Sequence, residues 1–354
     1  MTQPTTSNVT PEVPGAAQVS DTVSELHAVS RPQRSLLLSF WVVCSWIALA
    51  MLIFSHLGRF FYLSELMVNF QLQLGCACFV LVLFLWCTRE WFWSSILLIA
   101  ILFTLSGPLK TTFQSRITAS STTEQIRLMS YNIFAGNSNE QAIIESIRAE
   151  DPDILILIEY SNSRRELSTF LHQHFNQQVE EPRYHGFGIA VFSKIPLLDV
   201  DIQYLTHDKP VSNDDPDYKD DPTVITAVSV NGKTLRIIGT HCYNPIDYNR
   251  YDDRNQQLER LAAIVAADTE QPTVLAGDFN CTPWSIHFRQ LLSTTGMSDS
   301  RRGFGYQGSW PEQSVWLRIP IDQVLVTPGV EIVSRRIGNA GASDHLPVIA
   351  DIRF

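Results

Sequence analysis

A cluster of basic side chains is the first thing this sequence lacks. Residues 1–120 hold six Lys/Arg and five Asp/Glu, which leaves 20 basic and 31 acidic residues, a net charge of −11, for residues 121–354. A surface of that sign repels a polyanion held only by its phosphates, so an unselective duplex-DNA binder is disfavoured. No internal repeat is present, and no short apolar region followed by an Ala-x-Ala-like cleavage site opens the chain, which argues against a cleaved signal peptide. Wholesale disorder is excluded as well: 45% apolar content with 10% aromatics over 354 residues can bury a sizeable core in two or three domains.

Charge is also missing from three long stretches near the N-terminus. Residues 36–54, 66–88 and 91–109 contain 19, 23 and 19 residues without a single Asp, Glu, Lys or Arg. Each is long enough to cross a bilayer. A buried core helix is the alternative for any one of them, but the three follow one another almost directly, punctuated only by Arg59 with Glu65 and by Arg89 with Glu90. Three transmembrane helices within residues 35–109 are therefore expected. With the N-terminus inside, Arg31, Arg34 and Arg89 lie in the cytoplasm while Arg59, Lys110 and Arg116 lie outside, a tie. The flanks of the first helix, two arginines before it against one after, favour a cytoplasmic N-terminus. Three spans from that start place the C-terminal part outside the cytoplasm, in the periplasm of an inner-membrane protein.

Residues 1–34 are rich in Thr, Ser, Pro and Val without helical or strand period and read as a disordered tail. A polar connector opens at Gly107-Pro108 and residues 110–125 form a linker; a soluble domain then occupies 126–354. There, apolar runs at 127–129, 154–158, 189–192, 224–230, 235–238, 274–276 and 324–326 alternate with helical stretches at 141–149, 166–174 and 255–267. Mixed strands and helices of this kind predict layered α/β packing. The stretch 208–221 packs six aspartates around two lysines and reads as a solvated acidic loop, since its spacing does not match an EF-hand.

Polar residues sit at the ends of these apolar runs. They are Asn132 in LMSYNIFAGN, Glu159 in PDILILIEY, His241 in LRIIGTHCYNP, Asp278 and Asn280 in TVLAGDFNCTP, Asp322 in PIDQVLV, and Asp344-His345 in GASDHLP. A buried polar group at a strand end costs free energy unless it finds partners, and several converging on one edge can partner one another and a cation. Taken singly, Glu159 is a strand-end carboxylate meeting solvent, the Asp-x-Asn of 278–280 a turn, and His345 a structural histidine. Asp278 and Asn280 are spaced so that on an extended segment both point one way, one a hard anionic oxygen and the other an amide able to hold a phosphate oxygen or a water. Asp344 and His345 are adjacent and suit separate tasks.

Asn132, Glu159, His241, Asp278 with Asn280, Asp322 and Ser343-Asp344-His345 together resemble, in order and wording, the motifs of the endonuclease/exonuclease/phosphatase superfamily, over about residues 125–354. The membrane-facing front end looks like that of bacterial membrane-attached members. The resemblance implies a four-layer sandwich of two mixed β-sheets between helices, here preceded by three transmembrane helices. It implies that Glu159 binds a divalent metal, magnesium with manganese as an alternative, with Asn132 and Asp344 close to it. Asp278 positions or deprotonates the attacking water, and Asn280, with Asn132 nearby, holds the scissile phosphate. His345, oriented by Asp322, stabilises the transition state or acts as acid and base, and His241 stands where some members carry a leaving-group acid. Phe134 stands where some relatives carry an Asp, which argues against a second metal. Phosphoester hydrolysis needs a cation on the phosphate oxygens, a base for water and an acid for the departing oxygen, and this set supplies all three.

The run 303–308 satisfies Gly-x-Gly-x-x-Gly, yet no strand precedes it and no helix follows, so nucleotide binding is discounted. It reads as a loop at the substrate entrance, with Trp310 a candidate for packing against substrate. His172 and His174 fall on different helix faces and make a poor metal pair. Four of the six cysteines lie in the apolar stretches; Cys242 and Cys281 each follow a site residue and read as two buried thiols, with a disulfide as the alternative. The expectation is thus a membrane-anchored, magnesium-dependent phosphoester hydrolase, a phosphodiesterase preferring a lipid or small phosphodiester because the domain is acidic and near a bilayer. A nuclease of the same superfamily or a non-catalytic scaffold is the alternative.

Overall fold

The computed structural model describes residues 1–2, 36–116, 125–184, 186–206 and 221–354. Residues 3–34 of the expected disordered tail, residues 117–124 of the connector and residues 208–220 of the acidic stretch lie outside them. The chain divides into two compact units, Met1–Cys44 and Ser45–Phe354. The first ends within the helix α1 (Leu36–Phe54). The second carries the rest of α1, then α2 (Tyr62–Asn69), α3 (Gln71–Cys87) and α4 (Trp91–Thr112), and the whole C-terminal sandwich.

Three transmembrane helices do not result. Among the described residues, α4, with 22 residues, is the one helix long and apolar enough to span a bilayer alone; α2 and α3 pass that test as a pair bent by 76°, and the described apolar part of α1, Ser39–Phe54, is shorter. The uncharged run 66–88 breaks because its first residues have polar work to do. The backbone carbonyl of Val68 accepts from Trp284 Nε1 at 2.6 Å, and Asn69 Oδ1 accepts from the Thr282 amide and hydroxyl, both at 3.1 Å. These bonds to the sandwich hold the end of α2 off the axis of α3. At its other end α4 runs through Gly107-Pro108, where the connector was expected to start, as far as Thr112. An interior proline costs a helix about 3 kcal/mol; here Leu97 and Ile101 of α4 share a buried cluster with Val82 and Leu85 of α3, and Leu105 packs beside it.

The sandwich is built from β1 (Ile126–Asn132), α5 (Glu140–Glu150), β2 (Ile154–Ile158), α6 (Arg165–His174), β3 (Gln177–Glu181), β4 (Ile189–Ser193), β5 (Leu197–Tyr204), β6 (Pro222–Val230), β7 (Lys233–His241), α7 (Tyr248–Ala266), β8 (Thr273–Asp278), α8 (Ile286–Thr295), β9 (Ser298–Asp299), β10 (Asp322–Val326), β11 (Glu331–Ile337) and β12 (Val348–Arg353). Two six-stranded sheets result, in the orders β11-β12-β1-β2-β4-β3 and β5-β6-β7-β8-β10-β9. Both are mixed: β1 runs parallel to β2 and β7 parallel to β8, and the remaining pairs are antiparallel.

Strand periodicity explains the layers. In β2 the residues Ile154, Ile156 and Ile158 point into a cluster shared with Val224, Ile237 and Ala276 of the other sheet, while Leu155 and Leu157 meet Ile143, Ile147 and Leu171 of α5 and α6. A strand covered on both faces reads as an unbroken apolar run. The outer face of the second sheet, Ile238, Leu275 and Leu325, packs on Leu258 and Leu261 of α7 and Phe288 and Leu291 of α8. The expected order of helix, sheet, sheet and helix is therefore present. In α7 the buried face also includes Arg254, Asn255 and Gln257, and Asp221, expected in a solvated loop, is buried and accepts from Gln257 Nε2 at 2.7 Å and Thr206 Oγ1 at 2.9 Å.

Candidate active site

The polar strand ends converge where the two sheets meet. Asn132 closes β1, Glu159 follows β2, His241 closes β7, Asp278 closes β8 and Asp322 opens β10. Register fixes the last three: His241 lies across from Asp278 in the parallel pair and Asp322 across from Asp278 in the antiparallel one. Gly277 makes this spacing feasible. Its φ is +154°, and a Cβ there would lie 1.8 Å from the Thr240 carbonyl oxygen. Glu159 and Asn280 both have positive φ, 61° and 48°, conformations that cost free energy and that a surrounding network must hold.

That network crosses between the sheets. Asn132 Nδ2 donates to Glu159 Oε1 at 3.0 Å and to Asp278 Oδ2 at 3.1 Å, and its Oδ1 accepts from the Phe134 amide at 3.0 Å. Asn132 is buried and does not line the cavity; it stands behind the two carboxylates. The second oxygen of Glu159 accepts from the Ala135 amide at 2.7 Å. Asp278 Oδ1 accepts from the Asn280 amide at 2.8 Å, and Asn280 Nδ2 donates to the Cys242 carbonyl at 2.8 Å.

His345 Nδ1 lies 2.9 Å from Asp322 Oδ2, and its Nε2 is 3.8 Å from Asp278 Oδ2. His241 Nε2 reaches the same Asp278 oxygen at 3.9 Å, its ring stacked on Phe187 with 5.2 Å between centroids. Asp278 Oδ2 therefore has an imidazole nitrogen on either side. The two histidines differ in charge. Burial lowers the His345 pKa, but the carboxylates of Asp322, Asp278 and Asp344 outweigh it and lift the group to about 10. Burial pulls His241 below its ordinary value, so at neutral pH it is the uncharged ring. Burial, with the neighbouring Asp322 charge, pushes Asp278 up to about 8.

The backbone of Ser343-Asp344-His345 is tied to the first sheet by Ser343 Oγ, which donates to the Asn132 carbonyl at 2.8 Å and accepts from the His345 amide at 3.1 Å. Asp344 Oδ2 accepts from Trp310 Nε1 at 3.1 Å, while its Oδ1 is buried without a hydrogen-bond partner among the described residues. An orphaned carboxylate oxygen on the cavity that Glu159 also lines is the donor type a hard divalent cation takes. Asp278, Asp322 and His345 also bring ligand atoms within 4.8 Å of one another. Within that trio His345 and Asp322 are hydrogen-bonded to each other, which leaves fewer free ligand atoms for a cation. Cys242 and Cys281 are buried and unbridged, their thiols pushed up by burial, Cys281 to about 12. His172 and His174 take separate partners, Glu180 at 2.8 Å and Asp151 at 3.0 Å.

A cavity of about 450 Å³ opens over these groups, lined by Glu159, His241, Asp278, Asn280, Trp310, Asp344 and His345. Its wall also includes residues that motif reading passed over: Phe187 and Ile246 from loops, Arg250 from α7, and Leu66, Asn69 and Phe70 from the helical N-terminal region. Behind Asn280 lies a second missed feature. Arg254, wholly buried, pairs with the equally buried Glu65 of α2 at 3.0 Å; Ser285 Oγ donates to the same Glu65 oxygen at 2.5 Å, and Arg254 Nη1 donates to the Asn280 carbonyl at 3.4 Å. The signal was present in sequence: an acid set among apolar runs must be paired if it is buried.

Comparison with known proteins matches residues 129–345 to the Endonuclease/Exonuclease/phosphatase family. None of the curated proteins compared matches the chain. Among solved structures, an endonuclease/exonuclease/phosphatase from Beutenbergia cavernae is 23% identical with a TM-score of 0.52, over 66% of this chain and 72% of that one. One from Bacteroides vulgatus is 19% identical with a TM-score of 0.54, over 66% and 100%. D. rerio TDP2, solved in complex with a single-strand DNA product, is 14% identical with a TM-score of 0.54, over 66% and 100%. These likenesses show a shared fold.

Proposed function

This chain belongs to the Endonuclease/Exonuclease/phosphatase family, and on that premise we propose that it is a membrane-attached, magnesium-dependent phosphodiesterase that acts on a lipid or small phosphodiester. The observation that carries the reading is Asp278 Oδ2 flanked by the Nε2 atoms of His345 at 3.8 Å and His241 at 3.9 Å, with His345 held by Asp322 at 2.9 Å. In this reading Asp278 and His345, on the cavity wall, are base and acid, and Asp322, buried behind His345, is the orienting carboxylate.

A divalent cation bound by Glu159 and Asp344 would neutralise charge on the phosphate oxygens. Asp278, in its ionised form, orients water and accepts its proton as the oxygen bonds to phosphorus. The bond from phosphorus to the leaving oxygen breaks, and that oxygen takes a proton from His345, which Asp322 keeps charged. His241, uncharged, donates a hydrogen bond to a phosphate oxygen, so in this reading the leaving-group acid is His345. Asn280 holds the phosphate through its amide, and Trp310 fixes Asp344.

The apolar helix α4 and the exposed Phe79, Val80, Leu83, Trp86, Ile99 and Leu102 support attachment to a membrane. A periplasmic catalytic domain on an inner membrane is the reading that follows if α1, with Arg31 and Arg34 before it and Arg59 after, spans together with the bent pair and α4. Its net charge disfavours long nucleic acid, although a fold neighbour was solved with single-strand DNA. The test is hydrolysis of bis(p-nitrophenyl) phosphate by the full chain with magnesium, with manganese and with chelator, alongside plasmid nicking and release of lipid head groups. Nicking without lipid cleavage reverses the substrate assignment, and no metal-stimulated hydrolysis of any of the three refutes the function.

A further inference from the structure

The cavity over the catalytic groups is not built by the family domain alone. Leu66, Asn69 and Phe70, at the bend between α2 and α3, lie on its wall and stand well before residue 129, where the family match begins. The bend is held against the sandwich at nearly every step. Glu65 takes Arg254 at 3.0 Å and Ser285 at 2.5 Å, Val68 takes Trp284 at 2.6 Å, and Asn69 takes Thr282 at 3.1 Å. Thr282, Trp284 and Ser285 belong to the segment that directly follows Asn280, so the wall and the phosphate-facing amide form one braced unit. Leu66 and Phe70, half-buried between these anchors, present apolar surface where a substituent of the phosphate would lie.

The rest of the wall agrees. Phe134 and Ile246 add apolar surface. Among the described residues lining the cavity, Arg250 is the one side chain with a permanent positive charge, and it donates to Asn244 Oδ1 at 2.6 Å. A second and third backbone phosphate of a nucleic acid would find little to pair with, whereas a hydrocarbon chain would find several side chains.

We propose that the α2–α3 bend is a specificity-determining wall of the active site, and that Leu66 and Phe70 select phosphoesters carrying an apolar chain over short esters and over nucleic acid. This inference rests on the hydrolase reading above. It makes the helical region part of the substrate site as well as an attachment.

The test compares kcat/KM for p-nitrophenyl octyl phosphate and p-nitrophenyl ethyl phosphate, using the full chain in phospholipid nanodiscs with magnesium. Partition of the octyl ester into the disc is common to all variants and cancels between them. The octyl-to-ethyl ratio is expected to exceed ten in the natural chain and to fall roughly tenfold in Leu66→Ala and in Phe70→Ala, chiefly through KM. Phe70→Leu and Leu66→Val, which keep the wall filled, should retain most of the preference and supply graded readings where an alanine variant does not fold. Hydrolysis of both esters with a ratio that none of these substitutions moves overturns the inference alone. Faster cleavage of an oligothymidylate than of either ester overturns it as well. Absence of any cleavage by the natural chain removes the hydrolase reading and this inference together.

Discussion

The helical N-terminal region and the sandwich treat apolar side chains in opposite ways. In the sandwich, all five residues of β2 are wholly buried, and so are Leu275 on β8, Leu325 on β10 and Ile349 on β12. Along α3 and α4 the buried Val82, Leu85, Leu97 and Ile101 share their helices with Phe79, Val80, Leu83, Trp86, Ile99 and Phe103, all exposed. A helix that is apolar all round is built for an apolar surrounding, whereas the sandwich finishes its own core. What joins the two is polar and buried: Glu65, Asn69, Arg254, Thr282 and Ser285. Two bodies that each satisfied their apolar surface separately would not need such a junction; this one reaches into the loop that carries Asn280.

The sharpest break in the comparison confines damage to chemistry. Asp278→Ala or His345→Ala should lower kcat roughly 10²–10⁴-fold while thermal unfolding of the sandwich shows no comparable loss; unchanged turnover in the double variant would refute the mechanism. Next in size is the junction. Arg254→Ala leaves the Glu65 carboxylate buried without its cation and should cost about 3–5 kcal/mol, read by denaturant unfolding of the full chain. A segment spanning 121–354 leaves Arg254 without Glu65 and should melt below the full chain, and replacing both residues by leucine should recover much of the loss. An equal melting temperature for segment and full chain would show that the sandwich does not depend on the helices.

Chelation should abolish turnover yet withdraw a smaller amount of stability, about 2.7 kcal/mol if the cation is present at a hundred times its Kd, seen as a melting shift reversed by magnesium or manganese. The smallest effect lies far from the site. Asp351 is partly desolvated, which raises its pKa, but hydrogen bonds from Arg127 Nε at 2.8 Å and Ser334 Oγ at 2.5 Å outweigh this and hold it below the ordinary carboxylate value. Its folded pKa is depressed, so its stabilisation is present above the ordinary range and disappears as pH falls through the folded value. Asp351→Asn should cost about 1 kcal/mol or less at neutral pH, and the two melting curves should merge in acid.

Strand interiors were legible because a run covered on both faces, such as Ile154–Ile158, has no other economical use, and the polar residues ending those runs pointed to one edge. Elements whose burial is polar were not. The start of α7 reads as surface, YNRYDDRNQQ, yet Arg254, Asn255 and Gln257 are buried there. The edge strand β5, with four successive exposed positions, and the two-residue β9 carry no pattern to read. Counting uncharged residues overestimated the spans, since absence of charge reports what a segment avoids and leaves open whether it runs straight. The break at Phe70 is decided by Thr282 and Trp284, more than two hundred positions away.

Gly277 carries a consequence out of proportion to its size. With 1.8 Å between a Cβ placed there and the Thr240 carbonyl oxygen, alanine would pry the paired strand termini apart and widen the gap between His241 and Asp278. Every reactive group would survive such a change, chemically intact but misaligned. A tolerance this tight, shared with Gly188 against the Tyr160 carbonyl oxygen, is set by a hydrogen atom standing where any other residue would bring carbon.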